Sequence, residues 1–300
     1  MRDARWLDSL TPLQRSLAEA LGDVRSIAVG NFDGFHRGHQ AILAAGGPAC
    51  ALLSFDRSAK ELFDPAAAPG RIYTPAALAT FAAPLITVPF TKEVASLSPA
   101  DFAEVLRGIA VYCGEDWRFG KGAQGTPAMV GATVVPYAEW QGERISSTRI
   151  RQALAEGKMT DAAAMLGRNW SYAGTVVHGR GLANPTFGVP TLNVPYTCPS
   201  GLHMTPLARG VYHATAKLSR EGVELGTWPA LVNFGTAPSL KGDTEPLFEA
   251  HLLGASGDFY GATAEFTFAT DLVRSERKFE SLDALRAQIM ADLATFKENL

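Results

Sequence analysis

Three groups of residues carry types and spacings suited to phosphate chemistry. The first is Gly30-Asn31-Phe32-Asp33-Gly34-Phe35-His36-Arg37-Gly38-His39, which follows the apolar run Ile27–Val29 and leads into a helical pattern at Gln40, Ile42 and Leu43. A strand-to-helix turn gathers backbone N–H groups and the positive end of the helix dipole, an arrangement that holds phosphate. Gly30, Asn31, Asp33 and Gly34 are the candidate nucleotide-binding turn, and Gly38 lets a ligand approach the backbone. His36 and His39 are the catalytic candidates, donors of a hydrogen bond or a charge to a transferring phosphate. A single loop histidine is ordinarily a surface residue; His-x-Gly-His directly after a strand favours the functional reading. A metal reading is weaker, because Asp33 is the one further nearby ligand.

The second group is Ile145-Ser146-Ser147-Thr148-Arg149-Ile150-Arg151. Ser146, Ser147 and Thr148 offer hydroxyls and backbone amides at a helix start, with Arg151 one turn inside. Ser-Ser-Thr alone is a common helix cap; beside the histidine turn the functional reading is favoured. The third group is Thr191, Asn193 and Glu249. Thr191 and Asn193 alternate along one strand, so their oxygens project to one face and suit Mg²⁺, which takes few protein ligands. Glu249 lies in an apolar strand, where partial burial raises a carboxylate toward a useful general base. Taken singly, Thr191 and Asn193 also read as turn and strand-edge residues, and Glu249 as an outward, solvated position. His251 and Trp228 are assigned to structure.

Two elements of different rhythm must position these groups. In the first half, the strand candidates Ile27–Val29, Ala51–Phe55, Leu85–Phe90, Ala110–Cys113 and Thr133–Tyr137 alternate with helical stretches. One such helix starts at Ser98-Pro99 and aligns Phe102, Val105 and Leu106. This alternation predicts a parallel sheet with helices on both faces and ligands at the carboxyl ends of its strands. Helical pattern then runs from Ser147 to Leu166 with a break near Gly157. Beyond it, Tyr172–His178, Val211–Leu218, Ala230–Phe234, Leu247–Leu253 and Ala262–Thr270 follow without helices between them, predicting an antiparallel barrel. Ser281 caps a last helix whose stripe is Leu282, Leu285, Ile289, Leu293 and Phe296. The expected division is 1–168 and 169–300.

A length of 300 residues with 47% apolar content suits two cores. The net charge of −3, with no Lys/Arg-rich run, argues against a nucleic acid partner, which needs phosphate neutralisation. Cys50, Cys113 and Cys198 form no C-x-x-C pair and read as reduced thiols of a cytoplasmic protein. Neither a signal-like apolar stretch at the start nor a membrane-length apolar run is present in the sequence.

These motifs resemble two enzyme families. The histidine turn, the Ile145–Arg151 segment and Cys113-Gly114-Glu115-Asp116-Trp117-Arg118-Phe119-Gly120 are similar to the nucleotidyltransferase domain of bacterial FAD synthetases. The second half resembles riboflavin kinase, through Gly174–Gly179, Gly188–Asn193, Gly210-Val211-Tyr212, Val232–Gly235, Phe248–Leu253, Phe259-Tyr260-Gly261 and Arg274-x-Glu276 with Lys278-Phe279. The resemblance implies a Rossmann-like α/β nucleotidyltransferase domain followed by a riboflavin kinase-like barrel with a terminal helix. It implies ATP as co-substrate of both reactions, Mg²⁺, and riboflavin, FMN and FAD as substrates or products. By the same resemblance Thr191 and Asn193 bind Mg-ATP, Glu249 is the base for the ribityl 5′-hydroxyl, and Ser146–Arg151 contacts nucleotide phosphates.

Two departures stand out. The family's Phe-x-Pro-His-Pro turn is here Phe55-Asp56-Arg57-Ser58-Ala59. The Gly-Arg of the kinase phosphate loop is absent ahead of Pro190-Thr191, and Arg180 is the candidate to supply that charge. The sequence therefore leaves open a kinase with a degenerate N-terminal domain, a non-catalytic flavin-sensing regulator, and a different adenylyl or cytidylyl acceptor. Oligomeric state is not legible in it.

Overall fold

The computed structural model describes residues 4–82, 84–178, 191–198, 202–238, 244–277 and 282–298. It divides into two compact units, Met1–Ser147 and Thr148–Leu300.

The first unit is built on five parallel strands: β1 Ser26–Val29, β2 Ala51–Phe55, β3 Leu85–Val88, β4 Ala110–Gly114 and β5 Thr133–Val135. Their order in the sheet is β3-β2-β1-β4-β5, and every pairing is parallel. Ile27, Ala28 and Leu52 are wholly buried, as a sheet covered on both faces requires. On one face Ile27, Val29 and Val111 pack with Leu17 and Leu21 of α2 (Pro12–Leu21) and Phe102 and Val105 of α7 (Pro99–Val105). On the other face Ala28 and Leu52 pack with Phe32, Ile42 and Ala82; Ile42 belongs to α3 (Arg37–Ala45).

Local chemistry starts these helices. Thr11 and Gln14 form a capping box on α2, and Ser98 caps α7 with Pro99 in its first turn. The remaining helices, α1 Ala4–Ser9, α4 Ala59–Phe63, α5 Pro75–Phe81 and α6 Lys92–Ser96, are two turns or less, too short for hydrophobic periodicity to reveal. The strand order reverses across β1 and β4, which makes their carboxyl ends the crevice where such sheets take ligands. A small hairpin, β6 Glu139–Trp140 with β7 Glu143–Arg144, closes the unit.

The second unit begins with α8 (Ser147–Ala155) and α9 (Met159–Leu166), separated at Gly157. The compact division thus falls just after the first residue of α8. Hydrogen bonds show why: the Leu272 N–H donates to the Gly157 carbonyl, Ala208 N–H to Leu154, and the Thr160 N–H and hydroxyl to Asp271 Oδ1.

The barrel strands are β8 Trp170–Thr175, β9 Thr191–Pro195, β10 Gly210–Arg220, β11 Val223–Pro238, β12 Thr244–Leu252 and β13 Thr263–Phe268. They run antiparallel in the order β8-β13-β10-β11-β12-β9, and β14 (Arg274–Ser275) pairs with β10. The ends of this order meet where the Val177 N–H donates to the Asn193 carbonyl at 2.8 Å. An aromatic core fills the interior: Trp170, Tyr212, Phe248, Phe266 and Phe268 are fully buried. Phe248 touches Tyr172, Tyr196, Phe234, Phe266 and Phe268 with ring centroids 4.9–5.8 Å apart.

Outside the barrel, Phe296 of α10 (Leu282–Glu298) packs on Val211 and Leu231. A buried ion pair, Arg274 Nη2 to Asp292 Oδ2 at 2.6 Å, fixes the same helix. The cap at Ser281 lies outside the described residues. Among the described residues no helix is long and apolar enough to cross a membrane.

Because Phe248 holds five aromatic neighbours, Phe248→Ala is expected to destabilise the barrel by about 3–5 kcal/mol. Chemical denaturation of the full chain would show this as a lowered midpoint for one transition only.

Candidate functional sites

The chain leaves β1 at Val29 and reaches α3 at Arg37 through a turn held from two directions. Asp33 Oδ1 accepts the Ile72 N–H at 3.0 Å, and the Asp33 carbonyl accepts the Ser147 hydroxyl at 2.8 Å. Gly34 sits at φ +85°, where a Cβ would also lie 2.9 Å from Ile72 Cδ1. His36 is the N-cap of α3, its Nδ1 accepting the His39 N–H at 3.4 Å. That bond makes Nδ1 the acceptor and leaves the proton on Nε2.

The two imidazoles stack at 3.6 Å between centroids and 19° between planes, and Phe32 meets His39 edge-on at 5.2 Å. Gly38 makes room for the stack: a Cβ there would stand 3.1 Å from His36 Cε1. Burial holds the His39 pKa well below the ordinary value, and the charges of His36 and Arg144 lower it further. Two imidazolium charges at stacking distance would repel, so the stack disfavours protonation of both rings at once.

Beside the stack lies a cavity of about 360 Å³ lined by Gly30, Asn31, His36, Gly38, His39, Ser146 and Ser147 among others. Seven sequence-level candidates thus converge at the carboxyl ends of β1 and β4. Asp33 and Gly34 are not in its wall; they hold the turn from behind. Thr148 and Arg151 continue on α8, in the second unit.

The structure adds a group that sequence reasoning missed. Arg144 lies 3.4 Å from the centroid of the Tyr137 ring and pairs with Asp116 Oδ2 at 2.5 Å, all three lining the same cavity. No local periodicity announces an arginine whose partners are contributed by two other segments.

A second cavity of about 430 Å³ adjoins the first, sharing Val29, Gly30, Asn31, Trp117 and Arg118. Its body is apolar, with Phe55, Phe90 and Phe102 in the wall, Phe55 and Phe90 being 5.0 Å apart. Such a lining suits a flat aromatic ligand. The departing turn Phe55–Ala59 borders this cavity and is well held. Asp56 Oδ1 accepts the Phe90 N–H at 2.7 Å, Arg71 donates to the Asp56 carbonyl at 2.6 Å, and Ser58 forms a capping box with Glu61.

In the barrel, pairing register brings the third group together. Asn193 lies opposite Glu249, and Thr191 opposite His251; Asn233 flanks Glu249 on the other side. Directly opposite residues share a face, so Asn193, Glu249 and Asn233 form one row across three strands. Thr191 Oγ1 and His251 Nδ1 are 3.3 Å apart. Burial raises the Glu249 pKa above the ordinary carboxylate value and lowers that of His251.

Thr191 and Asn193 present hard neutral oxygens, and no cluster of three or more His, Cys, Asp or Glu suited to a metal occurs among the described residues. Hard neutral oxygens of this kind fit Mg²⁺ completed by phosphates and water. Arg180 lies outside the described residues, as does the 179–190 stretch around it.

A titration of histidine ring nitrogens by NMR checks the stack. His39 should remain neutral where an ordinary imidazole, at 6.5, is half protonated; normal titration would mean His39 is not desolvated beside His36 as described.

Comparison with known proteins bears on both units. The family model for FAD synthetase matches residues 20–149, and that for riboflavin kinase matches residues 166–300. A bifunctional riboflavin kinase/FMN adenylyltransferase of Pseudomonas fluorescens is 34% identical, over 98% of this chain and 96% of the relative. The same-named protein of Escherichia coli K12 is 32% identical, over 94% and 95%. A crystal structure of a macrolide-efflux protein from Streptococcus pneumoniae has a TM-score of 0.75 at 27% identity, covering 92% of this chain and 94% of that one. With both halves matched, the alternatives of a lone kinase and of a flavin sensor lose their support. The chain belongs to the bifunctional riboflavin kinase/FMN adenylyltransferase family.

Proposed function

We propose that the barrel transfers the γ-phosphoryl group of ATP to the 5′-hydroxyl of riboflavin, giving FMN and ADP, and that the N-terminal unit joins FMN to a second ATP. In the second reaction an FMN phosphate oxygen attacks the α-phosphorus, the bond to the β-phosphate oxygen breaks, and FAD and pyrophosphate leave. The observation that carries this reading is the adjoining pair of cavities at the sheet's switch point, one polar and lined by the stacked histidines, one apolar. By activity we divide the chain at 168/169.

In the adenylyl step, His36 and His39 donate hydrogen bonds to the charge developing on the transferring phosphate. Gly30, Asn31, Gly38, Ser146 and Ser147 seat the nucleotide, Asp33 and Gly34 keep the turn in place, and Thr148 and Arg151 are assigned to the phosphates by family resemblance. The attack is direct, with no covalent enzyme intermediate.

In the kinase step, Glu249 accepts the proton of the ribityl hydroxyl, and its row-mate Asn193 together with Thr191 holds Mg²⁺ of Mg-ATP. When bound, the cation neutralises phosphate charge in both reactions. Arg180 is retained as a proposed phosphate contact of the kinase loop. Nucleic acid and membrane play no part in this reading.

Purified chain incubated with riboflavin, ATP and Mg²⁺ should give FMN first and FAD after it, followed by chromatography of the flavins. FMN without FAD would sink the adenylyl half of the reading, and no product would sink both.

The general base gives a pH prediction with a defined sign. Glu249 accepts a proton only when ionised, and burial raises its pKa above 4.5. Kinase kcat should therefore fall with decreasing pH along a limb centred above that value. Glu249→Gln should lower kcat by about 10²–10⁴-fold and abolish the limb.

A further inference from the structure

The larger cavity has an uneven charge pattern. Among the described residues no Asp or Glu lines it, yet two guanidiniums do: Arg118 and Arg57. Arg118 also lines the histidine cavity, and its Nη1 is occupied by the carbonyls of Glu115 and Trp117. Arg57 lines the larger cavity alone.

Arg57 is weakly engaged within the protein. Its Nε stands 3.6 Å from Asp56 Oδ2, beyond a good hydrogen bond, with the side chain 40% exposed. The other oxygen of Asp56 accepts the Phe90 N–H. The backbone beneath Arg57 is nevertheless rigidly placed. Arg71 clamps the Asp56 carbonyl and the Glu61 carboxylate at 2.7 and 2.9 Å, and Glu61 in turn accepts the Ser58 N–H at 2.6 Å.

We propose that Arg57 is a specificity-determining residue of the acceptor cavity, its guanidinium binding the phosphate of the incoming flavin so that a monophosphorylated flavin is taken in preference to a neutral one. This deepens the adenylyl-transfer reading above and rests on it. A phosphate entering an apolar cavity loses water and needs a charged donor in return. A guanidinium supplies two parallel N–H groups matched to phosphate oxygens. Riboflavin offers the cavity the same ring without the anion, so it gains nothing from Arg57.

The experiment uses the full chain supplied with FMN and ATP, reading initial rates of FAD formation. Arg57→Gln should raise KM for FMN by about tenfold or more. KM for ATP and kcat at saturating FMN should stay within about twofold, the pattern of lost binding rather than lost chemistry. Arg57→Lys should recover part of the loss. The wild-type KM for FMN should rise with ionic strength, and that of Arg57→Gln should rise less. An unchanged KM for FMN in Arg57→Gln, an equal rise in KM for ATP, or Arg57→Lys no better than Arg57→Gln would each overturn the assignment while leaving adenylyl transfer intact. No FAD from the wild type would instead bring down the adenylyl-transfer reading and the assignment with it.

Discussion

Asp33 is the residue on which the nucleotide end of the first unit turns. Its carboxylate binds the Ile72 backbone and its carbonyl binds the Ser147 hydroxyl, so one residue ties three segments far apart in sequence. A hydrogen bond to a charged group contributes about 1.5–3 kcal/mol, enough to fix a turn that carries no regular structure. With that turn fixed, α3 starts at a defined point, His36 caps it, and the Gly38 gap lets one imidazole lie on the other. The anchor and the chemistry are therefore separate: Asp33 and Gly34 hold the loop from behind, and the histidines face the cavity.

The barrel uses a different device. Its candidate site row is an outcome of strand register, which sets Asn193, Glu249 and Asn233 side by side. Register in turn is held by the aromatic interior, because a one-residue slip would turn Phe248 outward and Glu249 inward. The seam bond from Val177 to the Asn193 carbonyl closes the barrel at one of the proposed ligand positions. Core and site are thus opposite faces of the same strands.

Electrostatics distinguish the two candidate sites. Burial moves His39 and His251 toward neutrality and keeps the Glu249 carboxyl protonated to higher pH than usual. Around the histidine cavity the charges are paired, as in Arg144 with Asp116. In the adjoining apolar cavity no acid lines the wall among the described residues, so its two arginines face no carboxylate there, whereas the histidine cavity sets Asp116 against Arg118 and Arg144.

Much of this was legible in the sequence. Short apolar runs marked all five parallel strands to within a few residues; the central β1 and β2 are buried on both faces, and the edge strands β3 and β5 are partly exposed. The order of the kinase motifs pointed to the barrel, and the alternation of Thr191 and Asn193 put them on one face, since strand geometry has a period of two. The histidine turn was visible because its residues are contiguous. What tertiary structure alone decided involves partners distant in the chain. The Arg144–Tyr137–Asp116 cluster, the His251 contact to Thr191, and the exposure of Arg57 to an apolar cavity arise where separate segments pack together. The turn at Phe55–Ala59 read as a loss when compared by residue type, yet its backbone is held by Arg71, Glu61 and the Phe90 amide. Local sequence determines which elements form, through steric and hydrophobic periodicity. Which side chains meet is set by packing, and that depends on residues no local pattern connects.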